Sequence, residues 1–461
     1  MSLILLTIIA YLIVLFCIVL YFCRNQSLES YFVNKRSTSL LFMIFSNVAT
    51  LIGAGAIVPS IGETYKGFTA LAWANVSTLV LAVMLLGYIA PKIRKLGDKY
   101  NISTIVDYFQ VRFDKKNRIL MAIYQLMLLT VWIGLQSMAV TVLLSQILHI
   151  PYLEALLIVM AVCLLYSMVG GIKADIILDF VQFWVMLAIY LTMTIIACSH
   201  IDAIQIIKDT PTDVLNPSTF KGTSWFIVAS LMLGFSYISS APHWQKIISA
   251  SSSSVARKSF FYATPIVLIL TAIVMFLGIY AYHTLSGLDN SDKAVFVLME
   301  NTLPHWALGL GFAAIIATVT SSLDSMFVAG STIIYKEFIS NKNKSTIKAR
   351  LITLAFGSFG VLITLVFPQM IDLGVFYIAL AILPVTAIIL SMTTKSFSSN
   401  ASFYSILISI IALLALYPFA GAKTFLLTTP LSIFATLVFF FAEKIIAIKN
   451  KNTENNTKNR P

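Results

Sequence analysis

The sequence predicts an all-α integral membrane protein with about thirteen transmembrane helices. Hydrophobic residues make up 59% of the 461 residues and charged residues only 11%, and the mean hydropathy is +0.91. Soluble domains carry about 25% charged residues, so this composition is typical of a chain whose surroundings are lipid. No polar stretch is long enough for a separate soluble domain, and residues 1–447 are therefore predicted to form a single membrane domain.

Thirteen apolar stretches are long enough to cross a hydrocarbon core of about 30 Å as helices. They cover residues 2–22, 40–61, 68–91, 119–148, 152–169, 175–198, 223–241, 259–283, 306–335, 350–367, 371–392, 401–420 and 425–446.

The basic residues indicate how these helices are oriented. The formal net charge is +12, but Lys and Arg concentrate in alternate loops, such as 92–118 and 336–350, and not in one patch suited to nucleic acid. Under the positive-inside rule this alternation places the N-terminus outside and the C-terminus inside. Residues 448–461 are polar and are predicted to be a disordered cytoplasmic tail. We expect a multi-pass protein of the cell membrane, surrounded by lipid, with no nucleic-acid partner.

Cysteine and histidine give no sign of a cofactor or a transition metal. The four cysteines and five histidines show neither metal-ligand spacing nor an i, i+4 histidine pair. An enzyme inside the membrane would need a paired acid and base or a set of metal ligands. The intramembrane polar residues offer only isolated candidates, so the protein is not expected to be an enzyme.

One apolar stretch is interrupted by backbone breakers at its middle. Between Ser46 and Ser60 the sequence reads SNVATLIGAGAIVPS, which contains Gly53, Gly55 and Pro59. Small residues also serve close helix packing, and this explains the glycines alone equally well. Pro59, however, removes a backbone donor and frees carbonyls in the preceding turn. Freed carbonyls suit a small cation such as sodium, so we predict a broken helix that lines a site.

A second apolar stretch is interrupted in a similar way. The sequence LGFSYISSAPHWQK places Gly234 and several hydroxyl residues before Pro242. These hydroxyls can satisfy the opened backbone or bind a polar solute. The sequence leaves both interpretations open.

Hydroxyl residues and one acid interrupt the apolar stretch around residue 320, which reads AAIIATVTSSLDSMFVAGSTI. Thr318, Ser321 and Ser322 are three and four residues apart and share one helical face. A carbonyl and two hydroxyls on this face form half of a predicted sodium site. Asp324 costs about 2.5 to 3.5 kcal/mol to insert near the bilayer centre, so it is expected to face protein, water or a cation.

Two acids lie at the predicted cytoplasmic entry to another helix, in the sequence GGIKADIILDFVQ from Gly170 to Gln182. Asp175 and Asp179 can interact favourably with the helix dipole. The alternative is an inner gate through which a cation leaves. Asp179 is the better candidate for that role because it lies deeper in the helix, one turn from Gln182.

These motifs resemble those of the sodium/solute symporter family, whose members carry proline, pantothenate, sugars or sialic acid. The resemblance covers about residues 5–445. GGIKADIILDFVQ is similar to the family pattern GG-x-x-A-x-x-x-x-D-x-x-Q. APHWQKIISASSSSVARKS resembles the P-x-x-W-Q-R stretch after the sixth core helix, with Lys246 where arginine is usual. ATVTSSLDSM resembles the eighth core helix, in which two hydroxyl residues shortly precede Asp and Ser.

The resemblance implies a LeuT-type fold with a five-plus-five inverted repeat. Residues 40–198 would form the first repeat and 223–392 the second, with an extra helix at 2–22 and two more within 401–446. Both breaks then fall in the first helix of a repeat. The implied sodium ligands are the backbone carbonyls of Gly53, Ala56 and Thr318 and the hydroxyls of Ser321 and Ser322, with Asp179 on the inward exit path of the ion.

The resemblance does not imply a particular solute. Sugar carriers of the family have Asn, Glu and Gln just after the first break, where this chain reads AIVPSIGE, so a sugar pocket of that type is not expected. Positions implied for the pocket are Ala54, Gly55, Ile57 and Pro59 from the first break, Trp132 and Gln136 from the third core helix, and Phe235, Ser236 and Tyr237 from the second break.

The predicted function is sodium-coupled symport of a small organic solute across the cytoplasmic membrane. A proton-coupled carrier, an uncoupled carrier and a transporter-like receptor can use the same fold and remain alternatives. The sequence leaves the solute, the number of ions and the oligomeric state open.

Overall fold

The apolar stretches of the sequence form α-helices. A computed structural model describes residues 3–23, 26–339, 345–365 and 370–458. In chain order the helices are α1 (Leu3–Cys23), α2 (Leu28–Val33), α3 (Leu40–Leu51), α4 (Ala54–Tyr65), α5 (Ala70–Tyr100), α6 (Ile105–Arg112), α7 (Lys115–Leu148), α8 (Tyr152–His200), α9 (Ala203–Asp209), α10 (Thr212–Leu215), α11 (Thr223–Ser236), α12 (Ala241–Ser249), α13 (Ser253–Thr284), α14 (Ala294–Thr302), α15 (Leu308–Phe338), α16 (Thr346–Leu362), α17 (Met370–Ala381), α18 (Val385–Thr393), α19 (Ser399–Ala420) and α20 (Thr424–Lys458). Across these ranges no β-strand forms, and an isolated bridge pairs Thr38 with Ala250.

Ten of the described helices are long and apolar enough to cross a membrane, or eleven when the bent pair α11 and α12 counts as one span. Two further predicted spans coincide with shorter apolar helices, α3 and Tyr152–Leu165. Tyr152–Leu165 and the predicted span 175–198 both lie within α8. This helix is kinked at Gly171, which has the non-helical angles φ +54° and ψ −154°. The all-helical membrane fold is therefore confirmed, whereas the count of thirteen, the orientation of the termini and the inverted repeat stay predictions.

Helix α15 lies at the centre of the molecule. In its most apolar window, 89% of the residues are buried, against 17% in α1 and 28% in both α19 and α20. Helices α7, α8 and α16 pack around it, and α3 contacts it as well. Exposed apolar side chains are stable in contact with lipid, so the peripheral helices are suited to face the bilayer. Helix α15 is buried behind them.

The first predicted break is present. Helix α3 ends at Leu51, Ile52 adopts φ −100° and ψ 73°, Gly53 is extended at φ −85° and ψ 157°, and α4 begins at the next residue. Pro59 lies inside α4 and does not end it. The interruption is therefore at Ile52 and Gly53.

The second predicted break is present too. Helix α11 ends at Ser236, a 3₁₀ turn follows over Tyr237–Ser239, and the extended residue Ser240 leads into α12. The two helices meet at 53°. Pro242 lies in the first turn of α12, where a missing backbone N–H costs no hydrogen bond.

The C-terminal region differs from its prediction. Helix α20 runs to Lys458 and so includes most of the stretch predicted to be disordered from residue 448. A helix satisfies its own backbone hydrogen bonds and can extend beyond its apolar part. Residues 459–461 lie outside the described ranges.

Candidate ion and solute site

Two adjacent serine hydroxyls of α15 face the end of α3. The Oγ atom of Ser321 lies 3.1 Å from the carbonyl oxygen of Ala49 and 3.1 Å from that of Thr318 in its own helix. The Oγ atom of Ser322 lies 3.5 Å from the carbonyl oxygen of Thr50. Both serines are fully buried. Packing of α15 against α3 thus brings the predicted hydroxyl face to the backbone oxygens of the broken helix.

The backbone at the first break is pressed against its neighbours. A Cβ atom added to Gly53 would lie 2.7 Å from Oγ of Ser322 and 2.5 Å from Nε2 of Gln136 on α7. Real Cβ atoms do not come this close to other heavy atoms, so only glycine allows the approach. The close approach brings α7, α15 and the break into direct contact.

The carbonyls that face the hydroxyls lie one turn earlier than predicted. The predicted ligands in this segment are Gly53 and Ala56, but the Gly53 carbonyl accepts the backbone N–H of Ile57 at 3.2 Å. The serine hydroxyls face Ala49 and Thr50 instead. The oxygens of α15 are those that the sequence predicts, whereas α3 contributes its last turn. A ligand role for Gly53 or Ala56 stays a prediction.

This oxygen set fits a small alkali cation. It combines carbonyl oxygens of Ala49, Thr50 and Thr318 with two hydroxyl oxygens, all of them neutral and hard. Unwound backbone carbonyls of discontinuous membrane helices are known to coordinate sodium.

A fully buried lysine pairs with two aspartates beside the oxygen set. The Nζ atom of Lys246 on α12 lies 2.6 Å from Oδ2 of Asp179 and 3.2 Å from Oδ2 of Asp175, both on α8, and the three side chains are at most 1% exposed. Ser46 of α3 donates to Asp179, and Lys246 donates to the Thr50 hydroxyl. Buried charges are costly unless they are paired, so this cluster ties α3, α8 and α12 together.

The spacing of the two aspartates is a sequence signal for this cluster. Asp175 and Asp179 are one helical turn apart and therefore share a face, which favours a common partner. Interaction with the helix dipole explains the same two acids equally well, and Lys246 stands out in the sequence only as a departure from the usual arginine. The partner itself lies 67 residues from Asp179 along the chain, and no local pattern predicts such a pairing.

The side chain of Asp324 faces a different helix from the one that Ser321 and Ser322 face. It is 2% exposed and accepts a hydrogen bond from Ser167 in the first half of α8. Gln182 of the same helix donates to the Thr320 hydroxyl at 2.7 Å. The Asp324 carboxylate thus faces α8, as the cost of a buried acid requires, while the serine pair faces α3.

At the second break, the side chain of Gln125 forms hydrogen bonds with two backbone groups. Gln125 of α7 donates through Nε2 to the Ser239 carbonyl at 2.6 Å and accepts the backbone N–H of Ala241 at 3.3 Å. The Ser239 hydroxyl lies 2.8 Å from the carbonyl oxygen of Ala381 in α17. Of the two interpretations that the sequence left open, these contacts favour satisfaction of the backbone.

A cavity of about 80 Å³ lies between the two breaks. Its lining comprises Pro59, Leu71, Asn75, Thr78, Leu79, Trp132, Leu135, Trp225, Leu233, Tyr237, Met370, Gly374, Val375, Tyr377 and Ile378. Among these described residues none carries a formal charge. Trp132 and Trp225 are buried, and within the described ranges neither indole N–H has a hydrogen-bond partner. The cavity is thus mainly apolar, and two of its lining residues carry an indole N–H without a hydrogen-bond partner among the described residues.

Three of the nine predicted pocket residues line this cavity, namely Pro59, Trp132 and Tyr237. Ile57 lines a smaller neighbouring cavity of about 20 Å³, and Gln136 lies against the first break.

The remaining predicted pocket residues are placed elsewhere or lie beyond the description. Ser236 donates to the Leu233 carbonyl of its own helix at 2.7 Å, and Phe235 is half-buried and absent from the lining. Ala54 and Gly55 begin α4, and what surrounds their side-chain positions lies outside the described part of the chain. The indole of Trp225 was missed because no break or motif marks its position.

The chain is similar to several known membrane transporters. The chain is 28% identical to a sodium/pantothenate symporter of Escherichia coli (strain K12) over 400 residues, which cover 80% of each chain. It is 26% identical to the high-affinity proline transporter PutP of Bacillus subtilis (strain 168), over 67% of this chain and 68% of that protein. Among solved structures, a Na+-coupled sialic acid symporter in its substrate-bound outward-open state matches with a TM-score of 0.81 at 17% identity, covering 95% of this chain and 98% of the other.

The family model described as the sodium:solute symporter family matches residues 31–442. This range includes both breaks, the serine pair of α15 and the lysine cluster. The chain therefore belongs to the sodium:solute symporter family and is a multi-pass membrane transporter, not an enzyme.

Proposed function

We propose that the protein imports a small organic solute together with sodium across the cytoplasmic membrane by alternating access. The observation that carries this proposal is the pair of buried hydroxyls, Ser321 and Ser322, facing carbonyl oxygens at the broken end of α3. Sodium bound there would join α15 to the first broken helix. An ion that orders this helix favours solute binding beside it, and by linkage the solute favours the ion.

The energy of one ion is sufficient for useful accumulation. Moving one positive charge through about 100 mV releases about 2.3 kcal/mol. Since about 1.4 kcal/mol corresponds to a tenfold concentration ratio, a single sodium ion that travels with a solute of no net charge, such as a zwitterion, supports a gradient of roughly fiftyfold before its own gradient is added. For a solute with one net negative charge the electrical contribution of the first ion cancels, and a second ion would be needed to recover it.

The cavity supports a compact, mainly apolar solute that accepts hydrogen bonds. Its lining offers the indole N–H groups of Trp132 and Trp225 and no charged side chain among the described residues. Pantothenate, proline and sialic acid, the solutes named for the three proteins compared above, each carry a carboxylate, which accepts hydrogen bonds. We propose that a carboxylate-bearing solute smaller than sialic acid is carried here, because the cavity is only about 80 Å³.

Uptake by reconstituted protein tests the proposal. Purified protein in proteoliposomes is supplied with labelled proline, pantothenate or sialic acid under an inward sodium gradient, and a potassium gradient of equal ionic strength is the control. We expect sodium-dependent uptake of proline or pantothenate and not of sialic acid, and sodium alone should raise the thermal unfolding midpoint relative to potassium. Uptake that is indifferent to sodium, or that follows an imposed proton gradient, would overturn sodium coupling.

A further inference from the structure

The lysine cluster joins four helices at one buried point. We define it as Lys246 of α12, Asp175 and Asp179 of α8, Ser46 and Thr50 of α3, and Ser325 of α15. Each of these residues is at most 2% exposed. A cluster that only fastened helices together would not need charges, since well-packed apolar side chains serve equally well.

The charges of the cluster do not balance. When all three groups are ionised, one ammonium faces two carboxylates and leaves an excess negative charge. The Oδ1 atom of Asp179 has no hydrogen-bond partner within the described ranges. Asp179 uses only its other oxygen, Oδ2, toward Ser46 and Lys246. In Asp175 both oxygens face a partner, since Oδ1 accepts from Ser325 at 2.7 Å and Oδ2 lies 3.2 Å from Nζ of Lys246. An excess negative charge in a buried place attracts a further cation, and Asp179 offers the unoccupied oxygen.

The cluster and the oxygen set share residues. Thr50 presents its carbonyl to Ser322 and its hydroxyl to Lys246. Ser325, which donates to Asp175, lies 3.3 Å from the backbone carbonyl of Ser321 and 3.4 Å from the Thr50 hydroxyl. A cation that leaves the oxygen set on this side therefore meets the cluster within about one helical turn, or about 5.4 Å.

We infer that Lys246 is a tethered cation that exchanges with sodium at Asp179. While the ammonium is bound to Asp179, this carboxylate is closed to the ion. When the ammonium shifts to Asp175, Asp179 receives the leaving sodium, and the return of the ammonium displaces it. Asp175 is the second acceptor that makes the exchange possible. The inference rests on the proposed sodium coupling and assigns Lys246 a positioning role in ion release.

Two substitutions change sodium binding in opposite directions if the exchange occurs. Lys246→Met removes both the competing cation and a positive charge, so the sodium concentration for half-maximal binding should fall about tenfold, equivalent to about 1.4 kcal/mol. Turnover should fall as well, because nothing displaces the ion. Asp175→Asn removes the second acceptor and confines the ammonium to Asp179, so the half-maximal sodium concentration should rise by a similar factor. In Lys246→Arg the positive charge is restored, and the tightening caused by Met should disappear.

The measurements are the thermal unfolding midpoint against sodium concentration, which reports binding, and sodium-dependent uptake in proteoliposomes, which separates turnover from half-saturation. Lys208→Met, an exposed lysine of α9, is the matched control and should change neither.

Shifts of the Lys246→Met and Asp175→Asn variants in the same direction, or no shift in either, would overturn the exchange. If Lys246→Met does not fold, an unaltered sodium response in Asp175→Asn is sufficient to overturn it. Sodium indifference of the wild-type protein would defeat the proposed function itself, whereas a sodium-dependent wild type with unresponsive variants defeats only this inference.

Discussion

The two broken helices have the same kind of interruption but different surroundings. At the second break, Gln125 satisfies both the Ser239 carbonyl and the Ala241 N–H. At the first break, the neighbouring groups are the hydroxyls of Ser321 and Ser322. A hydroxyl can turn its proton away and present oxygen to a cation, whereas an amide that already holds both partners cannot. The difference indicates that the first break is better suited to accept an ion than the second, because the hydroxyls beside it can reorient.

The largest effect should follow from removing the hydroxyls at the first break. In Ser321→Ala/Ser322→Ala the predicted sodium site loses two ligands. If each is worth about 1.4 kcal/mol, the sodium concentration for half-maximal uptake rises about a hundredfold. Sodium titration of uptake in proteoliposomes measures the change.

A matched control for the hydroxyl pair lies in the peripheral helix α19. Ser405 and Ser409 are also buried and bond back to their own helix, at 3.1 and 2.7 Å. Ser405→Ala/Ser409→Ala should leave the sodium response unchanged. An equal sodium response in the two double variants would mean that the ion is bound elsewhere.

At the second break, the main effect of a substitution should be on stability. Gln125→Ala leaves the Ser239 carbonyl and the Ala241 N–H buried without their partner, and each such group costs about 1 to 3 kcal/mol. We expect a lower thermal unfolding midpoint and an unchanged half-maximal sodium concentration in the protein that folds. Gln205→Ala on the exposed surface of α9 is the control. A sodium response that changes together with stability would remove the distinction between the breaks.

Two glycines allow the comparison to be made with one added methyl group each. A Cβ atom at Gly53 would meet Oγ of Ser322 at 2.7 Å, whereas at Gly234 it would meet the side chain of Leu81 at 2.8 Å. Overpacking costs about 1 to 3 kcal/mol at either position. Gly53→Ala should in addition weaken sodium binding about tenfold, because it displaces a ligand.

For Gly234→Ala we expect reduced stability with the wild-type sodium response. Thermal unfolding in a sodium series measures both quantities for the two variants. Equal sodium shifts at the two positions would contradict the assignment of the ion to the first break.

The sequence was sufficient for the all-helical membrane fold, for the two breaks and for the hydroxyl face of α15 in the candidate ion site. Gly, Pro and hydroxyl residues act through their own backbone, so the breaks and the hydroxyl face of α15 could be predicted locally. The other side depends on how α3 packs against α15, which decides that Ala49 and Thr50, not Gly53, present their carbonyls. A shift by one turn does not change the sequence pattern and is fixed only by tertiary contacts.

Dependence on tertiary contacts also explains why the sequence did not predict the roles of Lys246 and Trp225. The pairing of Lys246 with Asp179 joins positions far apart in the chain, and the pairing of Trp225 with Trp132 in one cavity joins α11 to α7. An indole in a membrane helix is more often a packing residue, so composition does not distinguish a lining tryptophan from a lipid-facing one.

The smallest effect concerns the cavity between the breaks. Trp132→Phe keeps an aromatic ring against Tyr377, whose ring centroid is 4.3 Å away, and removes an indole N–H that has no partner among the described residues. If this N–H donates to the solute, the loss of one hydrogen bond of about 1 kcal/mol raises the half-maximal solute concentration about fivefold and leaves the sodium response of the empty protein unchanged. Trp306→Phe, at a position that is 68% exposed, is the control. Uptake titrated with the solute and thermal unfolding titrated with sodium separate the two effects. Trp132 lies one turn of α7 from Gln136, the side chain that contacts Gly53. An altered sodium response with an unchanged half-maximal solute concentration would therefore mean that Trp132 supports the first break through packing.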